Sequence, residues 1–596
     1  MSRLVRGRAC LAAALAGVLA VGAGGCASIP DSGAVQTLSA EAASTGSTVR
    51  YNPPGPVDGA SPSDVINGFL EAMIGFPVST RTAEEFLTPE AASRWRTDDR
   101  TIIYNAPQVS TVATDGAVQD GDRMQASLRF TEVAVLDAQG QYAASTRRST
   151  RQLTLERVAG QWRIDDPPPA LMVSQQFFNN YFQPLSLYYL DHATEHLVAV
   201  PVYAPTGDQL ATSLASALLL RPRDAEGARL TTVVPEGTAL ATSVPVRTDG
   251  TVEVNLNGDF DAMSTRRREL MSAQIVSTVR QVQGVQQVRI QVNGSPLDIP
   301  GVDADQPVGL WDGYDVTEGT TSAQIFALRD RRLVVLSGSV TNLFAGPWGE
   351  VAQQVVDFRV DQEITEVAAV LPGRRQVRRA SLSASDSAKD KVVYSGRDVL
   401  TPVWDATGRL WVVDRDRGGS RLTVFEEPGP RAPSMGGLGR SRVLAFELSP
   451  DDARFVAVAR TAAGRSRVYV GAVAYAADGS VAGLRAVTAL PLTAYGLDNP
   501  VDATWRSPGN VAVLASDGGQ SNQPYFARID GSTITGGSLS GEPLLPDIDA
   551  TTIAGSGTGK SPIYIGDSSA RVWLQDPIGR WQQADSKGLT SARYPG

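Results

Sequence analysis

The chain has 596 residues, which at roughly 150 residues per domain predicts about four domains. Its 42% hydrophobic and 20% charged residues are typical of folded globular protein and exclude a wholly disordered, collagen-like or multi-span membrane chain. The net charge of −9 at pH 7, with no stripe of clustered basic residues, argues against a nucleic-acid partner, because phosphates would repel such a chain.

The first 25 residues have the pattern of a secretory signal. Three arginines precede an apolar run from Cys10 to Gly25 that ends in small residues. No later segment has the ~20 apolar residues that a membrane-spanning helix needs. Because Cys10 is expected to leave with the signal, Cys26 is the one thiol of the mature chain, and an internal disulfide is excluded.

Residues 23–26 read Ala-Gly-Gly-Cys and place small residues directly before a cysteine. This arrangement is typical of lipoprotein signals, although Ala23 stands where leucine is usual. We predict that Cys26 carries diacylglyceryl and N-acyl groups, including palmitate; the alternative is ordinary cleavage beside an unmodified cysteine. Acyl burial contributes about 0.8 kcal/mol per CH₂, so two or three chains would hold the protein stably at the outer face of the cytoplasmic membrane.

The segment 26–60 is rich in Ala, Ser, Thr, Gly and Pro and has no sustained periodicity, which predicts a flexible tether. An α+β domain is predicted over 61–184. A helix begins at a cap formed by residues 61–64, and a second capping pattern at Thr82 to Glu85 predicts a helix that reaches Trp95. Alternation of apolar residues then predicts antiparallel strands, listed by their apolar positions: Met124, Ala126, Leu128, Phe130, Leu153, Leu155, Trp162 and Ile164.

A small α/β domain is predicted over 185–300. Apolar strands near 198–202, 252–256 and 288–292 alternate with two helical patterns. The first of these helices is expected from Asp208 to Leu220, and the order is therefore β-α-β-α-β.

From residue 311 to 596 helical patterns give way to short apolar strands separated by Gly, Asp and Pro turns. A similar element recurs at 403–408, 447–452 and 504–509, a spacing that fits propeller blades of ~40 to 50 residues. The predicted fold is therefore two α+β or α/β domains followed by an all-β propeller of six or seven blades.

The sequence from Cys26 to Gly33 reads Cys-Ala-Ser-Ile-Pro-Asp-Ser-Gly. Together with a central domain of GerMN type and a carboxy-terminal propeller, it resembles the LpqB family of actinobacterial lipoproteins over essentially the whole chain. The resemblance implies an accessory role beside the MtrA–MtrB two-component system, through contact with the extracytoplasmic part of the sensor kinase, with an effect on envelope homeostasis.

Three segments match sequence motifs of ligand-binding sites, but the predicted structure around each segment argues against ligand binding. Residues 192–196 match H-x-x-E-H, yet the flanking β-like runs predict a hairpin rather than the helix that zinc binding needs. Residues 554–561 match a permissive P-loop, but the residues after them are predicted to form strands where a P-loop needs a helix, and the segment lies where a turn of a blade is expected. Residues 414–418 resemble the start of a calcium loop without its distal acid. We expect no metal, nucleotide or cofactor.

Basic runs occur at Arg266 to Arg268 and between Arg374 and Arg379. We expect solvated faces there, and the functional alternative is docking to an acidic partner or to anionic lipid head groups. A second class of function is binding or hydrolysis of cell-wall glycan by the propeller. An acidic pair converging on the central channel would favour that function, whereas an apolar plug would disfavour it. The sequence names no catalytic residue, and we expect a non-catalytic protein.

Overall fold

The computed structural model describes residues 52–75, 78–111, 122–191, 196–222, 230–317, 324–383, 390–518, 521–536, 539, 544–576, 579–584 and 588–596. The predicted signal, Cys26 and most of the predicted tether lie outside the described residues. Residues 192–195 of the H-x-x-E-H segment lie outside them as well. None of the helices in the described ranges is long and apolar enough to cross a membrane.

The helices of the first domain are α1 (Pro62–Ala72), α2 (Arg81–Glu84), α3 (Pro89–Arg94) and α4 (Gln175–Tyr181). The predicted cap of α1 is confirmed. The hydroxyl of Ser61 accepts a hydrogen bond from the N–H of Asp64, and the carboxylate of Asp64 accepts one from the N–H of Ser61, both at 3.3 Å. This reciprocal cap satisfies two N–H groups that the first turn leaves without helical partners.

The single helix predicted from Thr82 to Trp95 is wrong. The chain forms α2 and α3 instead, with residues 85–88 between them. Pro89 is the physical reason, because it disfavours helical geometry in the preceding residue and has no N–H to donate. Thr88 starts α3 as a separate helix, its hydroxyl accepting a hydrogen bond from the N–H of Ala91 at 3.1 Å.

A six-stranded sheet packs against these helices in the order β5-β4-β2-β1-β6, with β3 beside β2. Its strands are β1 (Arg100–Thr111), β2 (Arg123–Asp137), β3 (Tyr142–Ala144), β4 (Arg148–Val158), β5 (Gln161–Ile164) and β6 (Leu171–Ser174). The predicted alternation is confirmed at Ala126, Leu128 and Phe130, which are buried, whereas Met124 near the end of β2 is half-buried. The first domain is therefore α+β, as predicted.

In the residues that the structure describes, the second domain contains two sheets and two helices. Its strands are β7 (Phe182–Asp191), β8 (Leu197–Pro205), β9 (Leu230–Thr231), β10 (Ala239–Leu240), β11 (Thr251–Asn257), β12 (Gln287–Val292), β13 (Ser295–Pro296) and β14 (Asp305–Pro307), and its helices are α5 (Leu210–Leu219) and α6 (Thr265–Val279). Strands β11 and β12 are parallel and joined through α6, as the predicted order requires. Helix α5 begins at Leu210, two residues after the predicted start.

Six four-stranded antiparallel sheets are present in the described part of residues 325–593. The strands are, from the innermost to the outermost strand of each blade, β38 (Leu589–Arg593), β15 (Ile325–Arg329), β16 (Arg332–Ser337), β17 (Val340–Leu343); β18 (Asp357–Val360), β19 (Glu366–Val370), β20 (Gln376–Ser381), β21 (Lys391–Ser395); β22 (Val403–Trp404), β23 (Leu410–Asp416), β24 (Gly419–Glu426), β25 (Gly429–Arg431); β26 (Arg442–Leu448), β27 (Arg454–Arg460), β28 (Ser466–Tyr475), β29 (Val481–Ala489); β30 (Leu497–Ser507), β31 (Asn510–Asp517), β32 (Gln523–Arg528), β33 (Ile534–Gly536); and β34 (Ala550–Ala554), β35 (Tyr564–Asp567), β36 (Val572–Gln575), β37 (Trp581–Gln583). A short helix, α7 (Pro347–Glu350), precedes the second blade. The propeller has six blades, one of the two predicted numbers.

The ring closes because the last strand of the chain joins the first blade. Strand β38 pairs antiparallel with β15 and provides the innermost strand of blade one. The predicted recurring element lies in blades three, four and five, at the end of the innermost strand and in the turn that follows it. Trp404 and Trp505 occupy it in two of these blades, and both are 2% exposed.

The propeller has two faces that the course of the strands distinguishes. We call domain-side the face that carries the turns from the first to the second strand and from the third to the fourth strand of each blade. The second domain contacts this face: the guanidinium of Arg454 donates to the carbonyl of Ala199 at 2.9 Å, and the hydroxyls of Tyr203 and Ser532 lie 2.5 Å apart. We call distal the opposite face, which carries the second-to-third strand turns and the connections between blades.

Candidate functional site in the propeller channel

Charged residues of the innermost strands meet across the propeller axis. Arg359 of β18 and Glu447 of β26 form an ion pair at 2.7 Å, and Thr504 of β30 donates to the other oxygen of Glu447 at 2.6 Å. Arg359 also donates to the carbonyl of Tyr594 at 3.1 Å. A hydrogen-bonded ion pair, rather than an apolar plug, therefore crosses the channel at this level.

A chamber of about 230 Å³ lies in the channel on the distal side of this ion pair. We call it the distal chamber. Its polar and charged lining residues are Asp357, Arg359, Arg374, Thr401, Arg415, Glu447, Asp502, Thr551, Thr552 and Arg593. The lining comes from all six blades because one end of each innermost strand, or of the connection before it, lies here.

The carboxyl groups of the chamber are held by internal donors. Asp502 accepts hydrogen bonds from the backbone N–H of Ala503 at 3.0 Å and of Ile553 at 2.9 Å. Asp357 accepts from the hydroxyl of Thr401 at 2.5 Å. Burial raises the pKa of Asp502 to about 6. This carboxyl group is therefore mostly ionised at pH 7 and becomes mostly protonated below about pH 6.

Arg593 is, like Arg359, a largely enclosed cation of the chamber. Its side chain is 9% exposed, and one of its terminal nitrogens lies 3.8 Å from the Asp502 carboxylate. Burial alone would lower the pKa of Arg593, but the nearby carboxylates of Asp357, Asp502 and Glu447 outweigh burial and raise it. The buried Nε of Arg593 has no hydrogen-bond partner among the described residues.

Hydrolysis of a glycosidic bond needs two carboxyl groups that face the substrate, one as acid and one as base or nucleophile. Asp502 has the raised pKa that suits an acid, but both of its oxygens accept backbone hydrogen bonds. Glu447 uses one oxygen for Arg359 and the other for Thr504. The carboxyl groups of this channel are therefore arranged as hydrogen-bond acceptors within the protein rather than as a catalytic pair.

The H-x-x-E-H segment joins β7 to β8. These strands pair from Phe182 with Pro205 to Leu190 with Leu197, and the N–H of Asp191 donates to the carbonyl of His196 at 2.9 Å. The predicted hairpin is confirmed. Within the residues that the structure describes, no three His, Cys, Asp or Glu side chains cluster in a way that could hold a metal ion.

The P-loop-like segment 554–561 follows β34 and leads into β35, so a strand stands where a P-loop needs a helix. It forms the first-to-second strand turn of blade six, as predicted. The N–H of Gly557 donates to the carbonyl of Trp505 at 3.1 Å, and that of Gly559 donates to the carbonyl of Arg506 at 2.8 Å. In a P-loop such backbone N–H groups would bind phosphate, whereas here they donate to carbonyl groups of the neighbouring blade.

The calcium-loop-like segment uses its carboxylates to hold backbone. Asp414, at the distal end of β23, accepts hydrogen bonds from the N–H groups of Arg397 and Asp398, both at 2.9 Å. Asp416 accepts from the N–H of Gly418 at 2.6 Å. Both side chains therefore stabilise connections on the distal face.

The first predicted basic run lies in the first turn of α6. Arg266 donates a hydrogen bond to the hydroxyl of Tyr314, and its guanidinium lies 4.9 Å from the centre of that ring. Arg268 donates to the carbonyl of Asp298 at 3.0 Å. These arginines link α6 to the segment that leads into the propeller.

The second basic run divides between two roles. Arg378 forms an ion pair with Asp390 at 2.6 Å, and Arg379 forms one with Glu366 at 2.5 Å, both within blade two. Arg374 instead lies in the turn between β19 and β20 and lines the distal chamber. One member of this run therefore belongs to the candidate site.

Sequence reasoning did not identify the channel residues. A signal was available in part, because Arg359 and Glu447 stand within short apolar strands, where a charge has no place unless it faces a partner or solvent. No local pattern shows that such residues from distant segments converge on one axis.

The fold and the channel define a multi-domain β-propeller protein with a polar channel closed by an ion pair. Three family models match it: "Lipoprotein LpqB, N-terminal domain" over residues 55–179, "Sporulation and spore germination" over 186–298, and "Lipoprotein LpqB beta-propeller domain" over 331–592. The chain belongs to the LpqB lipoprotein family.

Individual proteins are similar over most of the chain. Lipoprotein LpqB of Thermobifida fusca is 27% identical over 578 residues, which are 88% of this chain and 89% of that protein. Lipoprotein LpqB of Streptomyces coelicolor is 27% identical over 553 residues, 85% and 86% of the two chains. Among solved structures, TolB from Acinetobacter baumannii aligns with a TM-score of 0.34 and 10% identity, covering 60% of this chain and 99% of that one.

Proposed function

We propose that this protein is a non-catalytic accessory lipoprotein, anchored at the outer face of the cytoplasmic membrane through acyl chains on Cys26. It modulates the MtrA–MtrB two-component system by binding the ectodomain of the sensor kinase and so affects envelope homeostasis. The proposal includes a signal at 1–25, a tether at 26–60 and domains at 61–184, 185–300 and 311–596.

One observation supports the non-catalytic part above others. The carboxyl groups that converge on the propeller axis already accept hydrogen bonds from protein donors, as Glu447 does from Arg359 and Thr504. A group committed to such bonds is a poor proton carrier, because a substrate would have to displace a protein donor. Family membership supports the accessory role, and the kinase as partner rests on that likeness alone.

The partner is tested by titrating the purified full chain against the immobilised ectodomain of the MtrB kinase of the same cell. An unrelated histidine-kinase ectodomain, immobilised at the same density, is the matched control. We expect saturable binding to the first ectodomain alone. Equal signals on the two surfaces, or none on either, would show that the kinase assignment is wrong.

A further inference from the structure

The distal chamber is closed at one end by the ion pair that crosses the channel. The Arg359–Glu447 pair and the Thr504 hydroxyl close the channel below it, and the second domain contacts the opposite, domain-side face through Arg454 and Tyr203. A ligand would therefore enter from the distal face and stop at the ion pair. Such a blind pocket suits the end or a side chain of a molecule rather than the middle of a bulky one.

The chamber carries excess positive charge inside an acidic protein. Four arginines and three acidic residues line it, whereas the whole chain has a net charge of −9. With a pKa of about 6, Asp502 is mostly ionised at pH 7, so the arginines exceed the acidic groups by about one charge there, and the excess grows only as the pH falls below about 6. An anion that enters the chamber is therefore attracted to it.

Two of the arginines approach their carboxylates without close hydrogen bonds. Arg593 lies 3.8 Å from Asp502, and Arg374 lies 3.7 Å from Asp357, both longer than a hydrogen bond. Arg415 is closer to its partner, Asp398, at 2.8 Å. The weakly paired guanidinium groups are the ones with donor capacity for a ligand.

Three of the arginines that line the chamber also have an unsatisfied donor. The Nε atoms of Arg359, Arg415 and Arg593 are buried and have no hydrogen-bond partner among the described residues. Arg359 is 5% and Arg593 is 8% exposed, so neither atom is hydrated as a surface group would be. A buried donor without a partner is costly, and a bound anion with acceptor oxygens would remove that cost.

We propose that the distal chamber binds the carboxylate of a peptide, with Arg593 and Arg374 as the main donors. A planar carboxylate matches the fork of a guanidinium group. Asp357 and Asp502 remain in the chamber and would repel a dianion, which favours a singly charged carboxylate over phosphate. The carboxylate could come from a chain terminus or from an acidic side chain, and the same chemistry would recognise both. This inference goes beyond the proposed function and is independent of the kinase.

The test is calorimetric titration of the full chain with four acetylated glycine-rich peptides. One ends in alanine with a free carboxylate and its control ends in the amide; another carries an internal aspartate with an amidated end and its control carries asparagine. We expect binding of at least one acidic peptide and a loss of about tenfold or more in its matched control. Which acidic peptide binds identifies the source of the carboxylate.

Variants locate the site. Arg593→Gln should weaken binding of the acidic peptide about tenfold or more, and Arg374→Gln, in an exposed turn, gives the same test if the first variant does not fold. Arg467→Gln removes an exposed arginine of β28 that does not line the chamber and should leave affinity unchanged. Three outcomes would each overturn the proposal. The first is that neither acidic peptide binds at millimolar concentration, and the second is that neither chamber variant changes the affinity. The third is that inorganic phosphate binds more tightly than the acidic peptides and depends on Arg593.

Discussion

At the scale of single residues, the channel shows how charge is accommodated inside apolar strands. Arg359 is 5% exposed and is held by Glu447 at 2.7 Å and by the carbonyl of Tyr594 at 3.1 Å. Removing such charges from water costs several kcal/mol per ion, so the pair is not a large net source of stability. It does fix the register of the strands, because a slip by one residue would place an arginine between blades.

Asp502 predicts a pH dependence of stability. Its pKa in the folded chain, about 6, lies above the ordinary value of 3.8, so the folded chain holds this proton more tightly than the unfolded chain. The resulting stability is fully present below about pH 3.8 and is lost as the pH rises through about 6. Between pH 7 and pH 5 we expect the wild type to gain about 1 kcal/mol over the Asp502→Asn variant, measured from urea unfolding at both pH values.

Asp547→Asn is the matched control for this measurement, because Asp547 is an exposed aspartate of the same domain. Its difference from the wild type should be the same at both pH values. If Asp502→Asn behaves like this control, the carboxyl group does not titrate near pH 6 and the description of the chamber's charge is wrong.

At the scale of elements, local signals decide where helices begin. Helix α1 starts where Ser61 and Asp64 satisfy each other's N–H groups, and Pro62 occupies the first helical position. The same kind of signal at Thr82 to Glu85 did not lead to a long helix, because Pro89 interrupts the chain before two turns are complete. A start signal predicts the first turn of a helix, whereas later residues decide its length.

The cap of α1 can be tested by itself. Ser61→Ala removes the hydroxyl that accepts from Asp64 and should destabilise the helix by about 1 kcal/mol. Ser63→Ala changes the same residue type inside the helix, where alanine is favoured, and should be neutral or slightly stabilising. Amide hydrogen exchange across residues 64–72 measures both. Equal exchange in the two variants would mean that the capping box contributes nothing to the start of α1.

At the scale of the whole molecule, the propeller is closed by its last strand. Strand β38 pairs with β15, although the two strands lie at opposite ends of the propeller's sequence. Arg593, at the end of β38, reaches the channel. The second domain contacts one face of this ring, and the distal chamber opens on the other. This arrangement leaves one end of the channel accessible to the carboxylate that we propose.

Anchoring is a prediction about the whole molecule. The Cys26→Ala variant should move from the membrane fraction into the soluble extracellular fraction, because it lacks the thiol to which the acyl chains are attached. Cys10→Ala removes the other cysteine of the chain, which the signal should carry away, and should leave the protein with the membrane. Retention of the Cys26→Ala variant would show that something other than acyl chains holds the protein.

The sequence by itself determined the parts of the fold that depend on near neighbours. The cap at Ser61, the alternation from Ala126 to Phe130, the antiparallel pairing of β7 with β8 and the recurring element that contains Trp404 and Trp505 all follow from residues a few positions apart. The order of two α/β-type domains and a propeller follows from the same local periodicities.

Only the tertiary structure decided the blade number, the closing strand and the candidate site. Arg359, Glu447 and Arg593 are separated by many strands, and each looks like an isolated charge in its own segment. Alternation along a strand fixes which side chains share a face, but it does not fix which distant strands that face will meet. The number of blades determines which strands become neighbours around the channel, because closure of the ring brings one end of every innermost strand to a common axis.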